Sequence, residues 1–279
     1  MNKIRPVKKN KVIIFCCCIL YPLSIFAQSN QDIFPKPKNG NTYVIAHRGV
    51  HTGIPENSIP AYKKAIELGC DFVEIDARST KDGYIVSIHN STIDKYVNNA
   101  TGKVKDFTLA ELKALDIGER IGPEWKNTRI PTLDEILQLC KGKTGIYLDL
   151  KEPLVEDIVK LIKKYNMERN VVWCIPISHM DAILKVKQLC PDCIPMPDPG
   201  EEINLEPALQ RLKPMIVAPV MDDFSDTYVG TAHKYGAKVF VDEDRGGVKE
   251  WEWILNLGTD GIQTDNPKAL IELIKNRCK

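Results

Sequence analysis

The amino-acid sequence predicts an α/β protein in which parallel strands alternate with covering helices. From residue 145 onward, short apolar runs typical of buried strands alternate with amphipathic helical patterns. The length that remains after a predicted leader, about 250 residues, fits one large α/β barrel domain. Histidines and charged residues follow the first strand runs, and the carboxyl ends of the strands carry the active site in such barrels. We therefore expect a single-domain eight-stranded barrel, although the pattern alone indicates the parallel sheet more strongly than its closure.

The first 27 residues have the layout of a secretory signal peptide. Basic residues precede an apolar run from Val12 to Phe26, and Ala27 is a small residue at the expected cleavage position. The run is shorter than the roughly 20 residues of a membrane span, so we expect export to the periplasm or the extracellular space and no stable membrane span in the mature chain. A lipid anchor on one of the cysteines in this run is the alternative. Residues 28–42 form a short polar linker to a domain at residues 43–279.

The charge balance argues against a nucleic-acid partner. The chain has 38 basic and 37 acidic residues, and the predicted signal peptide holds five of the basic ones and no acidic one. The mature chain would therefore carry a net charge of −4. A nucleic-acid-binding domain would present a basic face, and we expect none here. The oligomeric state is not indicated by the sequence.

The predicted elements of the first half are bounded by recognisable caps. Ser58 can cap the first helix, because its hydroxyl can accept hydrogen bonds from free backbone amides, and Gly69 supplies the stop. Thr108 and Thr132 each begin a capping box, with a glutamate three residues later. The predicted strands are 44–46, 72–76 and, after a tight turn at 81–83, 84–88.

The second half alternates strand and helix to its end. The predicted strands are 145–151, 171–175, 194–196, 215–220, 238–241 and 261–264. The predicted helices are 155–165, one that Ser178 caps and that continues to 189, 205–212, 227–235, 251–257 and one that begins at Pro267. Nine strand candidates exceed the eight of a barrel by one, so we expect one of them to lie outside it.

Six cysteines remain after the leader. Export would permit disulfides, and Cys190 and Cys193 are spaced for a local one. A zinc site is a poor alternative, because a second pair with metal-ligand spacing is missing. We expect the three cysteines at 70, 140 and 174 to be buried thiols.

Three carboxylates are placed to meet at the carboxyl ends of two strands. Glu74 and Asp76 are two residues apart on one strand, so both point to the same face, and Asp149 can join them from another strand. Together they would offer oxygen ligands to a hard cation. Solvated acids at a strand end are the common alternative. However, three converging carboxylates would repel each other without a cation, and one would have to remain protonated.

Two histidines and two cations complete this candidate site. His47 and His89 follow neighbouring strand candidates and are suited to a general acid–base pair working near neutral pH. Arg48 and Lys151 add positive charge suited to a phosphate. This combination favours phosphoester cleavage over sugar isomerisation, and composition alone does not choose further.

Several motifs, in order along the predicted domain, resemble the glycerophosphodiester phosphodiesterases. They are His47-Arg48-Gly49, Pro55-Glu56-Asn57-Ser58, Val73-Glu74-Ile75-Asp76, Lys81-Asp82-Gly83 leading to His89, Thr101-Gly102, Ile130-Pro131-Thr132-Leu133-Asp134-Glu135, Asp149-x-Lys151 and Gly261-Ile262-x-Thr264-Asp265-x-Pro267. The resemblance implies a TIM barrel and the hydrolysis of glycerophosphodiesters to sn-glycerol 3-phosphate and an alcohol.

The resemblance also implies roles for individual residues. His47 and His89 would be the acid and base, while Glu74, Asp76 and Asp149 would hold one divalent cation, Ca²⁺ or Mg²⁺. Arg48 and Lys151 would bind the substrate phosphate. Glu56 and Asn57 would shape the first loop or contact the residues around the metal. The nucleophile would be water or the neighbouring glycerol hydroxyl, and each histidine could be either the acid or the base.

This chain departs from the family pattern at three places. Asn90 follows His89 where the family usually has an aspartate, and Asp149 stands where a glutamate is usual. The segment 239–244 replaces a usual Trp-Thr-x-Asn pattern, which leaves the alcohol of the substrate unassigned. Two alternatives remain beside the phosphodiesterase. One is a barrel that binds a phosphodiester or lipid head group without turnover, and the other is a phospholipase that cleaves intact phospholipids on either side of the phosphate.

Overall fold

An almost closed barrel of eight parallel strands is the centre of the computed structural model, which describes residues 35–243 and 246–277. The strands are β1 Tyr43–Ala46, β2 Phe72–Ser79, β3 Ile85–Ser87, β4 Gly145–Leu150, β5 Val171–Pro176, β6 Ile194–Asp198, β7 Ile216–Val217, β8 Lys238–Asp242 and β9 Gly261–Thr264, of which β3 lies outside the barrel. The helices are α1 Ile59–Leu68, α2 Leu109–Ala114, α3 Leu133–Cys140, α4 Val155–Tyr165, α5 Met180–Leu189, α6 Leu205–Leu212, α7 Asp226–Lys234, α8 Val248–Asn256 and α9 Pro267–Arg277.

The first and last strands of the chain are neighbours, which brings the sheet round on itself. β1 pairs in parallel with β2 on one side and with β9 on the other, and the order is β6–β5–β4–β2–β1–β9–β8–β7. In the described part of the chain, β6 and β7 meet through a hydrogen bond from Ala218 N to Pro197 O, at 3.1 Å, in place of a ladder. The predicted parallel sheet with covering helices is therefore confirmed, and it forms a barrel.

The strand predicted at 84–88 is shorter, Ile85–Ser87, and it is the strand that lies outside the barrel. β3 runs antiparallel to β2, with Ala77 opposite Ser87, and lies off the barrel path. β2 extends beyond the barrel to Ser79, and the turn at 81–83 sends β3 back along it. His89 therefore reaches the mouth on a returning hairpin. This hairpin accounts for the ninth strand candidate, which we expected to lie outside the barrel.

Most of the predicted helix starts are confirmed. Ser58 Oγ accepts from Ala61 N at 3.3 Å, and Thr108 and Thr132 each form both hydrogen bonds of a capping box. The prediction for Ser178 is wrong, because it lies in a 3-10 turn, Ile177–His179, and the helix begins only at Met180. The strand predicted at 215–220 is shorter, since only Ile216–Val217 pairs as a strand.

Aromatic side chains close the amino-terminal end of the barrel. The rings of Tyr43, Phe72 and Phe240 pack with centroids 5.2 to 5.9 Å apart. Gly145 and Gly261 make room for them, because a Cβ on either would lie 2.5 Å from Phe72 or 2.6 Å from Phe240. The barrel is therefore filled at this floor. Its opposite end, which we call the mouth, opens towards the acids, histidines and cations described below.

A long excursion, residues 90–131, leaves the barrel between β3 and α3. It has its own buried cluster, which includes Ile93, Val97 and Leu112. Two hydrogen bonds tie it to the loop between β1 and α1. Trp125 Nε1 donates to Gly53 O at 2.6 Å, and the Tyr96 hydroxyl donates to Glu56 Oε1 at 3.1 Å. The excursion therefore forms a wall beside one side of the mouth.

The ends of the chain and its cysteines complete the fold. The predicted signal peptide and Cys278 lie outside the described residues. Residues 35–42 contact the barrel floor, where Lys38 Nζ donates to Cys70 O at 2.7 Å. Cys190 and Cys193 form a disulfide, while Cys70, Cys140 and Cys174 are free thiols. Within the described ranges, no helix has the length and apolar character needed to cross a membrane.

Candidate active site

The turn after β1 places a backbone amide against one of the acids. Arg48 and Gly49 adopt positive φ angles of 52° and 78°, and a Cβ on Gly49 would lie 2.8 Å from Ala61. Glycine is therefore required at this close approach. The sharp turn lets Arg48 N donate to Glu74 Oε2 at 2.7 Å, so the first loop and the second strand are joined at the mouth.

The three acids predicted from the sequence converge at the mouth. Glu74, Asp76 and Asp149 each offer an oxygen atom within 4.8 Å of the others. β2 and β4 pair in register, with Asp76 opposite Asp149. Glu74 and Asp76 are almost fully buried, at 2% and 1% exposure. Burial, together with the charges of Asp76 and Asp149, raises the pKa of Glu74 well above its usual range.

Lys151 and Arg48 supply positive charge to these acids. Lys151 Nζ lies 3.2 Å from Asp76 Oδ1 and also forms an ion pair with Asp149. Burial alone would lower the pKa of Lys151, but the charges of Asp149 and Asp76 outweigh it and raise the pKa. Arg48 Nε lies 3.8 Å from Asp76 Oδ2, and this buried nitrogen has no hydrogen-bond partner among the described residues.

Asn57 is placed against the acids by a buried network. It has a positive φ of 49°, and its Nδ2 donates to Asp76 Oδ2 at 2.7 Å. The hydroxyls of Tyr62 and Ser87 donate to Asn57 Oδ1 at 2.9 and 2.6 Å. Tyr62 and Ser87 were missed from the sequence, where they look like ordinary helix and strand residues. The fold brings the two hydroxyls within 2.8 Å of each other, beside Asn57.

His47 is oriented by an aspartate from the far end of the domain. Its Nδ1 lies 2.7 Å from Asp265 Oδ1, just after β9, because β1 and β9 are neighbours. In the described residues its Nε2 has no partner and remains open to chemistry. Asp265 also lies 3.4 Å from His51 Nε2, while His51 Nδ1 lies 2.9 Å from His47 O. The sequence motif contained Asp265, but His51 had no assigned role.

These contacts shift the pKa values of His51 and Asp265 in opposite directions. Burial would lower the pKa of His51, yet the hydrogen bond to Asp265, its charge and two backbone carbonyls together raise that pKa. Burial would raise the pKa of Asp265, yet its hydrogen bonds to His47 and His51 and their charges lower it far below its usual range.

His89 is held by its backbone at the end of the hairpin. Ile88 N donates to Asp76 O at 3.0 Å, and Arg78 donates to His89 O from Nε and Nη2 at 3.0 and 2.7 Å. The His89 ring bonds through Nδ1 to Asn90 Oδ1 at 3.0 Å, where the usual aspartate of the family pattern is absent. Burial raises the pKa of the nearby Asp149 carboxyl, and the charges of Lys151 and His89 offset that rise only in part.

Glu56 faces away from the three acids and towards the excursion. Its carboxylate accepts from Arg48 Nη1 at 3.2 and 3.3 Å and from the Tyr96 hydroxyl at 3.1 Å. That hydroxyl also accepts from Asn90 N at 3.0 Å. Tyr96 therefore joins the two loops that carry His47 and His89, a role that its position in a polar loop did not indicate.

The far side of the mouth is acidic. Asp242, on β8, accepts from Gln263 Nε2 at 2.5 Å. Asp198, at the end of β6, is half-buried, and burial raises its pKa, as do the charges of Asp223 and Asp149. The cations of the site therefore lie on the side of β1, β4 and the excursion. The segment at 239–244 contributes a carboxylate where an aromatic pattern is usual in the family.

Comparison with known proteins identifies a family for this chain. The family model of the glycerophosphoryl diester phosphodiesterase family matches residues 47–269. A glycerophosphodiester phosphodiesterase of Caldanaerobacter subterraneus subsp. tengcongensis is 35% identical over 84% of this chain and 98% of its own length. A putative glycerophosphodiester phosphodiesterase of Bacillus subtilis is 30% identical over 82% and 97%.

Solved structures match the fold. A putative glycerophosphodiester phosphodiesterase from Galdieria sulphuraria has a TM-score of 0.74 and 26% identity, with 86% of this chain and all of that one covered. A phosphodiesterase from Oleispira antarctica, solved in complex with the product sn-glycerol-3-phosphate, has a TM-score of 0.74 and 24% identity, with 83% and 96% covered.

Proposed function

This chain belongs to the glycerophosphoryl diester phosphodiesterase family, and we propose that it hydrolyses glycerophosphodiesters to sn-glycerol 3-phosphate and an alcohol with one divalent cation and two histidines. Relatives named for this activity match most of its length, and the chain is an enzyme of this class. The observation that carries the mechanism is the meeting of three acids, two cations and two histidine loops at one end of the barrel. A barrel that only binds its ligand does not account for these relatives.

The three acids fit a hard divalent cation, Ca²⁺ or Mg²⁺. Their donor set is oxygen only, which is what both ions prefer. Their oxygens lie within 4.8 Å of one another. Burial and then the charges of Asp76 and Asp149 raise the pKa of Glu74, and a cation would offset both effects. When bound, the ion would polarise a phosphoryl oxygen and neutralise developing charge.

The two basic side chains bind the phosphate in this proposal. The Arg48 Nε–H is buried without a hydrogen-bond partner among the described residues, so it is available to a phosphate oxygen. Leaving such a donor unmet costs about 1–3 kcal/mol, which a phosphate oxygen would recover. Lys151, held between Asp76 and Asp149, offers its remaining N–H donor to the same group.

The histidines move the protons. One of them accepts the proton of the nucleophile, which is water or the neighbouring glycerol hydroxyl, as a new P–O bond forms. The other protonates the alcohol oxygen as the old P–O bond breaks. Where the glycerol hydroxyl attacks, the product of this step is a cyclic phosphate, and water then opens it to sn-glycerol 3-phosphate by a second pair of proton transfers. Asp265 orients His47 through Nδ1 and leaves Nε2 for this transfer. His89 is held in a similar way: Arg78 donates to its carbonyl oxygen, and Asn90 Oδ1 bonds to its Nδ1.

We also propose that the enzyme acts outside the cytoplasm. The predicted signal peptide is the basis, and the Cys190–Cys193 disulfide supports it, because disulfides persist in oxidising compartments.

The test is release of sn-glycerol 3-phosphate from glycerophosphocholine, glycerophosphoethanolamine and glycerophosphoinositol. Each substrate is assayed with Ca²⁺, with Mg²⁺ and with a chelator. His47→Ala and His89→Ala are run beside His233→Ala, a histidine on the outer helix α7. We expect metal-dependent release that the first two variants lose and the third retains. Release that is equal in the chelator, or retained by both site variants, would contradict the mechanism.

A further inference from the structure

A cleft of about 290 Å³ adjoins the active site between the β1–α1 loop and the excursion. Its volume is close to the lower end, about 300 Å³, of small-molecule sites. Pro55, Ile117 and Ile121 form apolar parts of its lining, and the Tyr96 ring adds an aromatic surface. The excursion supplies most of this wall, so the cleft exists only because residues 90–131 leave the barrel at this point.

The cleft is continuous with the proposed phosphate site. Arg48 belongs to both, because its Nε lies 3.8 Å from Asp76 while its Nη1 donates to Glu56 in the cleft. Asn90 also lines the cleft and directly follows His89. A phosphate held by Arg48 between the two histidine loops would therefore have one substituent directed into the cleft.

The charges that line the cleft are not balanced. Lys95 and Arg120 have no carboxylate partner among the described residues. Arg120 Nη1 donates to Asp94 O at 3.0 Å, which fixes the guanidinium without neutralising it. The carboxylate of Glu56 is already engaged by Arg48 and by the Tyr96 hydroxyl. Asn90 adds an amide and no charge, so the cleft carries an excess of two positive charges.

From this arrangement we infer that the cleft binds an alcohol group that carries a second phosphate. This inference rests on the proposed phosphodiesterase function and names the substrate class of the same site. A second phosphate would accept hydrogen bonds from Lys95 and Arg120, while the carbon skeleton between the two phosphates would lie against Ile117, Ile121 and Tyr96. A trimethylammonium group would instead meet two unpaired cations.

A pair of substrates that differ by one phosphate tests the inference. Glycerophosphoinositol and glycerophosphoinositol 4-phosphate share the scissile bond, and release of sn-glycerol 3-phosphate is measured for both with the metal-loaded full chain. We expect wild-type enzyme to prefer the phosphorylated substrate by about tenfold in kcat/KM, and Lys95→Gln with Arg120→Gln to bring the ratio close to one. Lys105→Gln is the matched control, because this exposed lysine lies on the excursion but does not line the cleft.

The outcomes separate the inference from the function on which it rests. A preference that disappears in the double variant and remains in the Lys105→Gln control supports the cleft as the second phosphate site. A wild-type ratio near one, or a preference that the double variant keeps, overturns the inference, although hydrolysis of glycerophosphoinositol still supports the phosphodiesterase. Failure of wild type to hydrolyse either substrate, or the three head-group substrates above, would instead overturn the function.

Discussion

Asp265 accepts a hydrogen bond from His47 Nδ1 at 2.7 Å and so joins the last strand of the barrel to the first at the active site. The two residues are 218 positions apart in the chain. Their meeting depends on the pairing of β1 with β9, which places Ala46 opposite Thr264. The closure of the barrel therefore sets the orientation of a proposed catalytic histidine.

The first prediction concerns this aspartate as a positioning residue. Asp265→Asn keeps the size of the side chain but can present its amide to His47 and favour the wrong tautomer. Because general acid–base catalysis contributes roughly 10²–10⁴-fold, we expect kcat to fall by about a hundredfold with a change in KM of less than about threefold. Steady-state kinetics on glycerophosphoinositol measure kcat and KM separately for the variant and the wild type. Asp192→Asn, at an exposed ion pair with Arg169, is the control, and a rise in KM alone would rule out the positioning role.

The second prediction follows from the raised pKa of His51. A histidine whose pKa is higher in the folded state stabilises the protein fully below its unfolded pKa, and that contribution is lost as pH rises through the folded pKa. His51→Gln should therefore destabilise the protein more at about pH 5.5 than at about pH 9. Urea unfolding at both pH values measures the difference. His179→Gln, at an exposed histidine without an ion pair among the described residues, is the control variant. An equal loss for His51→Gln at both values would contradict the charged contact with Asp265.

Much of this site was predictable from the sequence because its residues follow strands directly. In a parallel barrel the carboxyl ends of the strands all lie at the same end. Because side chains alternate along a strand, Glu74, Asp76 and Asp149 could be assigned to one mouth from the sequence. His89 was placed there too, after a strand returned by the turn at 81–83, but the sequence did not identify β3 as the strand that lies outside the barrel. The periodicity of a three-residue strand does not reveal whether the strand runs parallel or antiparallel to its neighbour.

The residues that escaped prediction act through contacts between distant elements. Tyr96 joins the two histidine loops from within the excursion, and Arg78 reaches the carbonyl of His89 across the hairpin. Neither has a local pattern that distinguishes it from an ordinary surface residue. Such residues become visible only when the path of the loops in space is known.

The third prediction concerns the acids and the metal. Glu74→Gln can still accept the hydrogen bond from Arg48 N and removes one repelling charge, so stability in a chelator should change by less than about 1 kcal/mol. Wild type should gain about 2.7 kcal/mol at a metal concentration of 100 Kd, and the variant should lose most of this gain. Thermal unfolding with Ca²⁺, Mg²⁺ and a chelator measures both effects. If the variant were stabilised by metal as much as wild type, Glu74 would not be a ligand.

The fourth prediction separates the floor of the barrel from its mouth. A Cβ on Gly261 would lie 2.6 Å from the ring of Phe240, so Gly261→Ala should destabilise the protein by about 1–3 kcal/mol through overpacking. Because Gly261 lies at the floor and the acids lie at the mouth, kcat at low temperature should remain within about twofold of wild type. Gly230→Ala in α7, where nothing lies within 4 Å of the added Cβ, should instead stabilise the helix by up to about 1 kcal/mol. Denaturant unfolding and activity are measured on the same samples. A loss of kcat in Gly261→Ala at a temperature where the variant is fully folded would show that the floor and the mouth are not independent.

The last prediction concerns Tyr96, whose hydroxyl connects Asn90 N to Glu56. Tyr96→Phe keeps the ring in the wall of the cleft but leaves Glu56 with Arg48 alone and frees the loop that carries His89. The variant loses both hydrogen bonds of the hydroxyl, but only the one from Asn90 N restrains the His89 loop. We therefore expect kcat to fall by about three- to tenfold, the roughly 0.5–1.5 kcal/mol of that one bond, with the preference for a second phosphate unchanged because Lys95 and Arg120 remain. Tyr84→Phe, an exposed tyrosine on the outer surface, is the control. A change in substrate preference with normal kcat would place the hydroxyl in contact with the substrate and contradict its role as a connection between the two histidine loops.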